Sequence, residues 1–376
     1  MTQSHTNTSE YLLAQGHSKD TAVIDRAGPH SYAELRASVA AIHQRLVDWQ
    51  LPPSSRVGLL SRNSFFWVAA YLAILRSGHV AVPFAPGLTA VDVHHKATFV
   101  GCDAFLFETG LHHVYAPVIT DATHAADESA TVKARSTSLQ AATVKADDPA
   151  VLMFTSGTTS APRAVVVSHR NIRANTDSIT AYLDLSVRDR MLVVLPFSYC
   201  YGASLLHTHL SVGGSLAICD TFAFPETVIE AIKRDECTGL AGVPSTYQLL
   251  LRASSIETTS LPSLRFLQQA GGRLPPSQLE RLAAAQPQAR LFVMYGATEA
   301  TSRMSYLPPE LLVERRGSIG RGIPGVDLSL VDPTGQPVAP GAVGEIFARG
   351  DNITKGYWQD PEGTAAKFVE GGLRTG

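Results

Sequence analysis

The sequence predicts an α/β protein with two layered α/β subdomains and a small distorted β-barrel-like subdomain. Strand-like and helix-like segments alternate along most of the chain, a pattern typical of layered α/β folds. Several buried strands run into turns rich in glycine, serine or proline, and open α/β sheets bind ligands at that end of their strands. After about Ser302 the pattern changes to short β segments with Gly and Pro turns. We expect subdomains at about residues 1–145, 146–301 and 302–376.

Capping and turn residues define the first elements. Ser31 and Glu34 form a capping box at the start of an amphipathic helix that ends near residue 50. A buried strand is predicted over Arg56–Ser61, and a second helix over about Ser64–Arg76. The run VAVPFAPG that follows predicts a strand closed by prolines.

The pattern weakens between Gly110 and Lys145, which we interpret as a surface connection between the two α/β halves. A further helix is predicted over Ser168–Asp184. Buried strands are predicted at Ala150–Phe154, Met191–Pro196, Leu216–Cys219, Leu264–Gln268 and Leu291–Met294.

The composition is that of a globular protein, and 376 residues suffice for two or three folding units. Charged residues make up 17%, and 31 basic against 33 acidic side chains leave a formal net charge of −2. This balance gives no reason to expect a nucleic acid or an anionic membrane as the main partner. The four cysteines are widely spaced, which favours free thiols over a disulfide framework or a zinc site. With a polar start and no apolar run near 20 residues, we expect a cytoplasmic protein without a membrane span.

A loop rich in serine and threonine follows the strand that ends at Phe154, and Arg163 adds a cation to it. Hydroxyl groups and outward-facing amides bind phosphate oxygens, and a nearby guanidinium balances their charge. The loop therefore predicts a phosphate site, with a plain solvated loop as the alternative. A P-loop NTPase is excluded because no GxxxxGK[ST] sequence occurs. The candidate phosphate-binding residues are Thr155, Ser156, Gly157, Thr158, Thr159 and Ser160.

A second candidate site is Tyr295-Gly-Ala-Thr-Glu299, at the end of the strand LFVM. A glutamate just past a strand end can hold Mg²⁺ through a carboxylate oxygen while a neighbouring threonine hydroxyl bonds a phosphate. Alone, this pentapeptide is also typical of a structural turn. Its interpretation depends on its being the second phosphate-type site in the chain.

Two other turns follow predicted strands. In Gln269-Ala-Gly-Gly-Arg273 the paired glycines would let a flat ring approach the backbone, and a plain left-handed turn explains them equally well. The run PFSYCYG over Pro196–Gly202 clusters aromatic rings, which suits a hydrophobic acyl or aryl pocket but also a buried aromatic core.

Seven motifs occur in order over Val57–Gly376: TSGTTSAPR, PFSYCYG, GVPSTY, AGGRLP, YGATE, GEIFARGDNITKGYW and the terminal LRTG. Together they resemble the core motifs of the adenylate-forming superfamily, which contains acyl- and aryl-CoA synthetases, peptide-synthetase adenylation domains and luciferases. The resemblance covers the large N-terminal domain of that superfamily.

The resemblance implies that a carboxylic acid attacks the α-phosphate of ATP, that pyrophosphate leaves, and that the acyl group then passes to a thiol. The expected cofactors are ATP or AMP, Mg²⁺, and coenzyme A or a phosphopantetheine, and in the phosphopantetheine case an acyl-carrier protein would be a partner beside the acid. Thr298 would contact the α-phosphate, Glu299 would bind Mg²⁺, and Arg163 would answer the phosphate charge. The other expected nucleotide-binding residues are Gly271, Gly272, Arg273, Tyr295, Gly296 and Ala297. The expected acid pocket comprises Phe197, Tyr199, Cys200, Tyr201, Val243 and Ala270.

Several residues depart from the superfamily pattern. The phosphate loop usually reads GxPKG, and here Ser160 and Ala164 replace its two glycines. Tyr199 stands where many acyl-CoA synthetases have histidine. Cys200 stands where amino-acid-activating domains have the aspartate that pairs with the substrate ammonium. Because an ammonium buried without a counter-ion is costly, we expect a plain acyl or aryl acid. An amino-acid-activating domain and a non-catalytic nucleotide-binding relative are the alternatives.

The last residues of the chain carry a separate expectation. In the superfamily the terminal motif continues as RTGD, and a further domain carries a lysine used in adenylation, whereas this sequence stops at Gly376. We expect a truncated N-terminal domain, in preference to a natural fragment completed by another polypeptide or to a non-catalytic protein. Such a piece is expected to bind ATP or acyl-adenylate but to adenylate poorly.

Overall fold

The computed structural model describes residues 6–120, 124–127, 140–155, 162–219, 222 and 224–376. Within them the chain forms a six-stranded, a nine-stranded and a four-stranded sheet. The strands are β1 (Thr21–Asp25), β2 (Gly28–Ser31), β3 (Arg56–Leu60), β4 (Val80–Pro83), β5 (Ala104–Phe107), β6 (His124–Asp127), β7 (Pro149–Phe154), β8 (Ala164–Ser168), β9 (Arg190–Val193), β10 (Ser215–Ile218), β11 (Gly239–Gly242), β12 (Phe266–Gln269), β13 (Arg290–Tyr295), β14 (Ser305–Leu307), β15 (Arg321–Gly322), β16 (Val326–Val331), β17 (Glu345–Gly350), β18 (Phe368–Val369) and β19 (Gly372–Arg374).

Helices cover the two larger sheets. The helices are α1 (Thr8–Leu13), α2 (Tyr32–Asp48), α3 (Phe65–Arg76), α4 (Ala90–Val100), α5 (His112–Thr120), α6 (His169–Leu183), α7 (Cys200–Ser211), α8 (Glu226–Arg234), α9 (Pro244–Ala253), α10 (Pro276–Ala285) and α11 (Pro361–Lys367). No helix among the described residues is long and apolar enough to cross a bilayer.

The sheet orders follow the α/β prediction. The six-stranded sheet runs β6-β5-β3-β4-β7-β8, and only β8 at its edge is antiparallel to its neighbour. The nine-stranded sheet runs β15-β14-β13-β12-β11-β9-β10-β1-β2, with parallel pairing from β13 to β1. The small sheet, β16-β17-β19-β18, is antiparallel throughout. Parallel strands place their carboxyl ends at one edge, where α/β proteins bind ligands.

Local signals in the sequence predicted several elements correctly. Ser31 caps α2 and forms the predicted capping box with Glu34. Ser64 caps α3, in which every residue from Phe66 to Leu75 is buried. A helix that is apolar on all sides belongs in a protein interior, and α3 packs in the core cluster that contacts both larger sheets.

The predicted subdomain boundaries do not coincide with the boundaries of the sheets. Strands β1 and β2, from the first 31 residues, complete the nine-stranded sheet, and β7 and β8, beyond residue 145, complete the six-stranded one. Strands β14 and β15, beyond residue 301, extend the nine-stranded sheet. The pairing is long-range, and local patterns carry no information on which sheet a strand joins.

The predicted surface connection over residues 110–145 is also more structured than expected. It contains α5 and the edge strand β6, which pairs with β5, while residues 121–123 and 128–139 lie outside the described residues. The sequence of β6, HAAD, lacks the β-branched and aromatic residues typical of strands, so its pairing was not evident.

A segment between β17 and α11 returns to the six-stranded sheet. The Val166 amide donates to the Gly356 carbonyl at 3.0 Å, and the Trp358 amide donates to the Ala164 carbonyl at 2.8 Å. These bonds place Tyr357 beside β8, at the end of the sheet where the candidate site lies.

Candidate functional site

A cavity of about 360 Å³ lies where β7, β12 and β13 end and α7 begins. It brings together residues that are far apart in sequence, from the predicted phosphate loop, the predicted Mg²⁺ motif and the predicted acid pocket. The lining residues are Thr155, Arg163, Tyr199, Cys200, Tyr201, Ala270, Gly271, Gly296, Ala297, Thr298, Glu299, Ser302, Arg303, Tyr357 and Lys367.

Thr298 and Glu299 reach the cavity on the tight loop between β13 and β14. A single 3₁₀ turn holds them, and Thr301 then reverses the chain with φ +66°. Gly296 lies so close to the returning strand that a Cβ there would be 1.7 Å from the Ser302 carbonyl oxygen. Only glycine fits at this position, which explains the glycine of the YGATE motif.

Hydrogen bonds from other elements hold this loop, which we call the 296–304 loop. The Asn352 amide group donates to the Ala300 carbonyl at 3.3 Å and to the Arg303 carbonyl at 2.9 Å. Asn175 on α6 also donates to the Arg303 carbonyl, at 2.9 Å. The Thr301 hydroxyl donates to the Asn352 carbonyl at 2.6 Å. These four hydrogen bonds therefore hold the loop in place.

Glu299 belongs to a small polar network at the cavity wall. The Tyr357 hydroxyl donates to Glu299 Oε1 at 2.6 Å. Burial, together with this carboxylate, raises the pKa of Tyr357, so its hydroxyl stays protonated and remains a donor. The Arg163 guanidinium lies 4.7 Å from the centre of the Tyr357 ring and pairs with Asp360 at 3.3 Å. Arg163 is 43% exposed, which leaves its charge accessible to a ligand.

The donor set at Glu299 fits a magnesium ion that is shared with a nucleotide. Among the described residues no group of three His, Cys, Asp or Glu side chains could hold a metal. Mg²⁺, however, is commonly bound by one or two carboxylates together with substrate phosphates. Glu299 Oε2 accepts no hydrogen bond from a described residue, and the Thr298 hydroxyl lines the same cavity.

The predicted acid side of the cavity is formed at the start of α7. The Thr298 hydroxyl lies 3.5 Å from Cys200 Sγ, so the two candidate regions meet at this contact. Burial raises the pKa of the Cys200 thiol, which keeps it neutral. Tyr199 and Tyr201 lie on either side, and Ala270 closes the cavity from the end of β12.

Several predicted residues lie outside the cavity wall. Phe197 is fully buried, with its ring 5.0 Å from the ring of Trp67. Tyr295 packs against the small cluster around Met304. Val243 is the N-cap residue of α9 and lies behind Gly271. A Cβ on Gly271 would come within 2.9 Å of Val243 Cγ1.

Two more predicted residues flank the wall, and the phosphate loop is only partly described. Gly272 and Arg273 come directly after the lining residue Gly271 and are exposed at the surface. The Gly272 carbonyl accepts a hydrogen bond from the Gln269 side chain. Thr155 and Arg163 line the cavity, whereas Ser156, Gly157, Thr158, Thr159 and Ser160 lie outside the described residues. The roles assigned to all of these residues stay predictions.

The structure adds four lining residues that the sequence did not single out: Ser302, Arg303, Tyr357 and Lys367. Tyr357 and Lys367 lie in the C-terminal part of the chain and come to the cavity through long-range contacts. Arg303 follows the YGATE motif by only four residues. Its signal in the sequence was a charged residue just after a site motif, where the short β segments are predicted to begin.

His207 and His209 lie inside α7 and are buried. His207 Nε2 is 2.8 Å from the Tyr71 hydroxyl, and His209 Nδ1 is 2.9 Å from the Leu205 carbonyl oxygen. Burial lowers the pKa of His207 to about 3 and that of His209 to about 4, so both rings are neutral. Neither lines the cavity.

The comparisons with known proteins agree on one family. Residues 13–358 match the family model described as AMP-binding enzyme. A feruloyl-CoA synthase from an Amycolatopsis species is 28% identical over 354 residues, covering 92% of this chain and 70% of that protein. A D-alanine–D-alanyl carrier protein ligase from Streptococcus equi is 28% identical over 355 residues, covering 90% of this chain and 67% of that protein.

A solved structure has the same fold. The crystal structure of ATP-bound MatB from Rhodopseudomonas palustris superposes with a TM-score of 0.89 at 26% identity, and the match covers 99% of this chain and 75% of that one.

Proposed function

Because this chain belongs to the AMP-binding enzyme family, which activates carboxylic acids with ATP for thioester formation, we propose that the described cavity is where adenylation occurs. The observation that carries the proposal is the convergence of four residues: Thr155 and Arg163 from one sheet, and Thr298 and Glu299 from the other. Such an arrangement can surround a triphosphate from two sides.

The reaction we propose is an in-line displacement at phosphorus. A carboxylate oxygen of the acid forms a bond to the α-phosphorus, and the bond from that phosphorus to the pyrophosphate oxygen breaks. Negative charge moves onto the leaving pyrophosphate and builds on the equatorial oxygens, so positioning and charge neutralisation carry most of the rate acceleration.

Each residue has a distinct part in this proposal. Thr298 donates its hydroxyl to an α-phosphate oxygen, and Arg163 balances the charge of the departing pyrophosphate. Glu299 holds Mg²⁺, which when bound supplies positive charge to the phosphate oxygens. Tyr357 positions the Glu299 carboxylate through its 2.6 Å hydrogen bond.

The charge balance of the cavity supports anionic ligands. Among the described lining residues Arg163, Arg303 and Lys367 are cations, and Glu299 is the one carboxylate. An amino-acid substrate would bring an ammonium to this wall, where Cys200 occupies the position expected for its counter-ion. We therefore propose that the acid lacks an α-amino group. The acyl acceptor is the thiol of coenzyme A or of a carrier-protein phosphopantetheine.

The test is magnesium-dependent ATP binding by the wild-type chain and by Glu299→Gln, measured by calorimetry. The glutamine keeps an oxygen that can accept the Tyr357 hydrogen bond, so the loop should persist while the anionic metal ligand is lost. We expect magnesium to strengthen ATP binding in the wild type and to have little effect in the variant. Glu280→Gln, an exposed carboxylate on α10 that pairs with Arg316, is the matched control and should behave as the wild type.

Two results would contradict the proposal. Equal ATP affinity with and without magnesium in the wild type would favour a non-catalytic nucleotide-binding relative. Adenylation is measured as the acid-dependent exchange of pyrophosphate into ATP. This exchange should require both an acid and the Glu299 carboxylate. Exchange that is unchanged in Glu299→Gln would remove this residue from the reaction.

A further inference from the structure

Arg303 is a buried cation without an anionic partner. It is 1% exposed and is one of the residues that line the cavity. Its hydrogen-bond acceptors are all neutral: Met294 Sδ at 3.4 Å, the Ser204 hydroxyl at 3.2 Å, the Ser302 hydroxyl, and Gln268 Oε1 at 3.4 Å. Buried charges in proteins are normally paired. No ion pair joins Arg303 to any carboxylate of the described residues.

A second observation at the same place also indicates a missing acceptor. Gln268 is 1% exposed, and its Nε2 group has no hydrogen-bond partner. The amide orientation is set by Arg303, because its Nη2 group needs the oxygen, not the nitrogen, of Gln268. A buried amide donor and a buried guanidinium thus lie together, and neither has a negatively charged hydrogen-bond acceptor.

The guanidinium is held rigidly in this position. It stacks on the Tyr201 ring, with its central carbon 3.8 Å from the ring centre. The Arg303 backbone is fixed by the hydrogen bonds from Asn175 and Asn352 to its carbonyl. Fixed donors bind an anion with little ordering cost, whereas a mobile surface arginine does not.

The cation lies on the acid side of the cavity. Tyr201, on which it stacks, follows Cys200 directly, and Cys200 contacts the Thr298 hydroxyl at 3.5 Å. Ser302, which accepts a hydrogen bond from Arg303, also lines this wall. Thr155 and Arg163 lie beside β7 and β8, in the six-stranded sheet. The nucleotide phosphates therefore have a cation of their own, Arg163.

We propose that the acid activated here carries a second carboxylate, which pairs with Arg303 while the first carboxylate reacts with ATP. This inference rests on the proposed function and names the class of its substrate. The second carboxylate supplies the counter-ion that the buried guanidinium lacks, and a bidentate pair would fix the distance between the two ends of the acid. It also replaces the expectation of a wholly hydrophobic acyl or aryl pocket.

The experiment compares acyl-sulfamoyladenosines, which mimic the acyl-adenylate and cannot react. Malonyl, succinyl and glutaryl forms are each paired with the monoamide of the same chain length, which has nearly the same shape but no second charge. Affinity for the wild-type chain is measured by calorimetry. Because a buried charge left unpaired is strongly unfavourable, we expect one diacid form to bind about 100-fold more tightly than its amide.

Two variants test whether Arg303 causes that preference. Gln268→Glu places a carboxylate next to the guanidinium with almost no change of shape, and it should reduce the preference to near unity. Arg303→Met should do the same by removing the cation, and Arg303→Lys should retain part of it. The readout is the ratio of two affinities, so a general loss of stability in one variant does not mimic the result.

The outcomes separate the two proposals. If no analogue of the series binds although the wild-type chain binds ATP with magnesium, the second carboxylate is refuted, and if ATP does not bind either, the proposed adenylating function is wrong. If amide and acid forms bind equally at every chain length, or amides bind better, the second carboxylate is refuted and the adenylating function stands. A diacid preference that survives both Gln268→Glu and Arg303→Met would refute the assignment of Arg303.

Discussion

Acidification should destabilise this protein through histidines that are buried without charge. Burial lowers the pKa of His169 to about 4, that of His207 to about 3 and that of His209 to about 4. In the unfolded chain histidine titrates near pH 6.5, so below that pH the unfolded state binds protons that the folded state does not. The free energy of unfolding therefore falls as the pH falls from 6.5 towards the folded-state values.

The size of the effect follows from proton counting. At pH 5.5 about nine-tenths of an unfolded histidine is protonated, and one proton corresponds to 1.36 kcal/mol per pH unit, so each ring contributes about 1.2 kcal/mol per pH unit. His207→Gln should thus lower the pH dependence by about 1.2 kcal/mol per pH unit between pH 5 and 6. The three rings together contribute about 3.6 kcal/mol per pH unit.

The assay is urea unfolding at several pH values between 5 and 6, where most carboxylates of an unfolded chain are already ionised. The readout is the slope of the free energy of unfolding against pH, because His207→Gln also loses the contact with Tyr71 and is less stable at every pH. His94→Gln, on the exposed face of α4, is the matched control substitution. A wild-type slope equal to that of His207→Gln would refute the argument that this ring is buried neutral.

Three further predictions concern the 296–304 loop and the residues that hold it. Asn352→Ala removes two hydrogen bonds to the loop, while the Arg303 carbonyl keeps its donor Asn175 and the Ala300 carbonyl keeps the Ser302 amide, so the free energy of unfolding should fall by about 1–3 kcal/mol in urea unfolding. A change below about 0.5 kcal/mol, typical of surface sites, would contradict the argument that Asn352 holds the loop. Gly296→Ala puts a Cβ 1.7 Å from the Ser302 carbonyl oxygen, so the loop must move, and ATP affinity measured by calorimetry should fall at least tenfold, as about 1.4 kcal/mol corresponds to tenfold. Tyr357→Phe removes a hydrogen bond to the charged Glu299 carboxylate, which is worth about 1.5–3 kcal/mol. The magnesium concentration needed for half-maximal pyrophosphate exchange should therefore rise at least tenfold. An unchanged magnesium requirement would exclude a role for Tyr357 in positioning Glu299.

Local chemistry made much of the fold predictable. The capping box of Ser31 and Glu34 needs only four residues to be recognised, and the structure confirms it. The strand before the YGATE motif was predicted because apolar residues end at a glycine turn, and the structure has β13 there. Such features depend on neighbours in sequence, so one sequence is enough to find them.

The parts that were missed depend on contacts between distant segments. Arg303 turns inward because Thr301 reverses the chain and Asn352 holds it, and neither effect is visible in a local pattern. Phe197 is predicted to face the acid pocket; in the structure its ring packs 5.0 Å from the Trp67 ring in the core and is not part of the cavity wall, and its role stays a prediction. Residue type alone could not distinguish these two directions.

The edge of the nine-stranded sheet has a consequence for the order in which the chain folds. β1 pairs with β10, and the register joins Val23 to Leu216. During synthesis β10 therefore emerges nearly 200 residues after the β1–β2 hairpin that it pairs with. Strands β3, β4 and β5 can pair with one another much sooner. Contacts of such high sequence separation form late and slowly. A nascent chain stopped before β10 should expose the apolar face of β1, and we expect this hairpin to need protection on the ribosome.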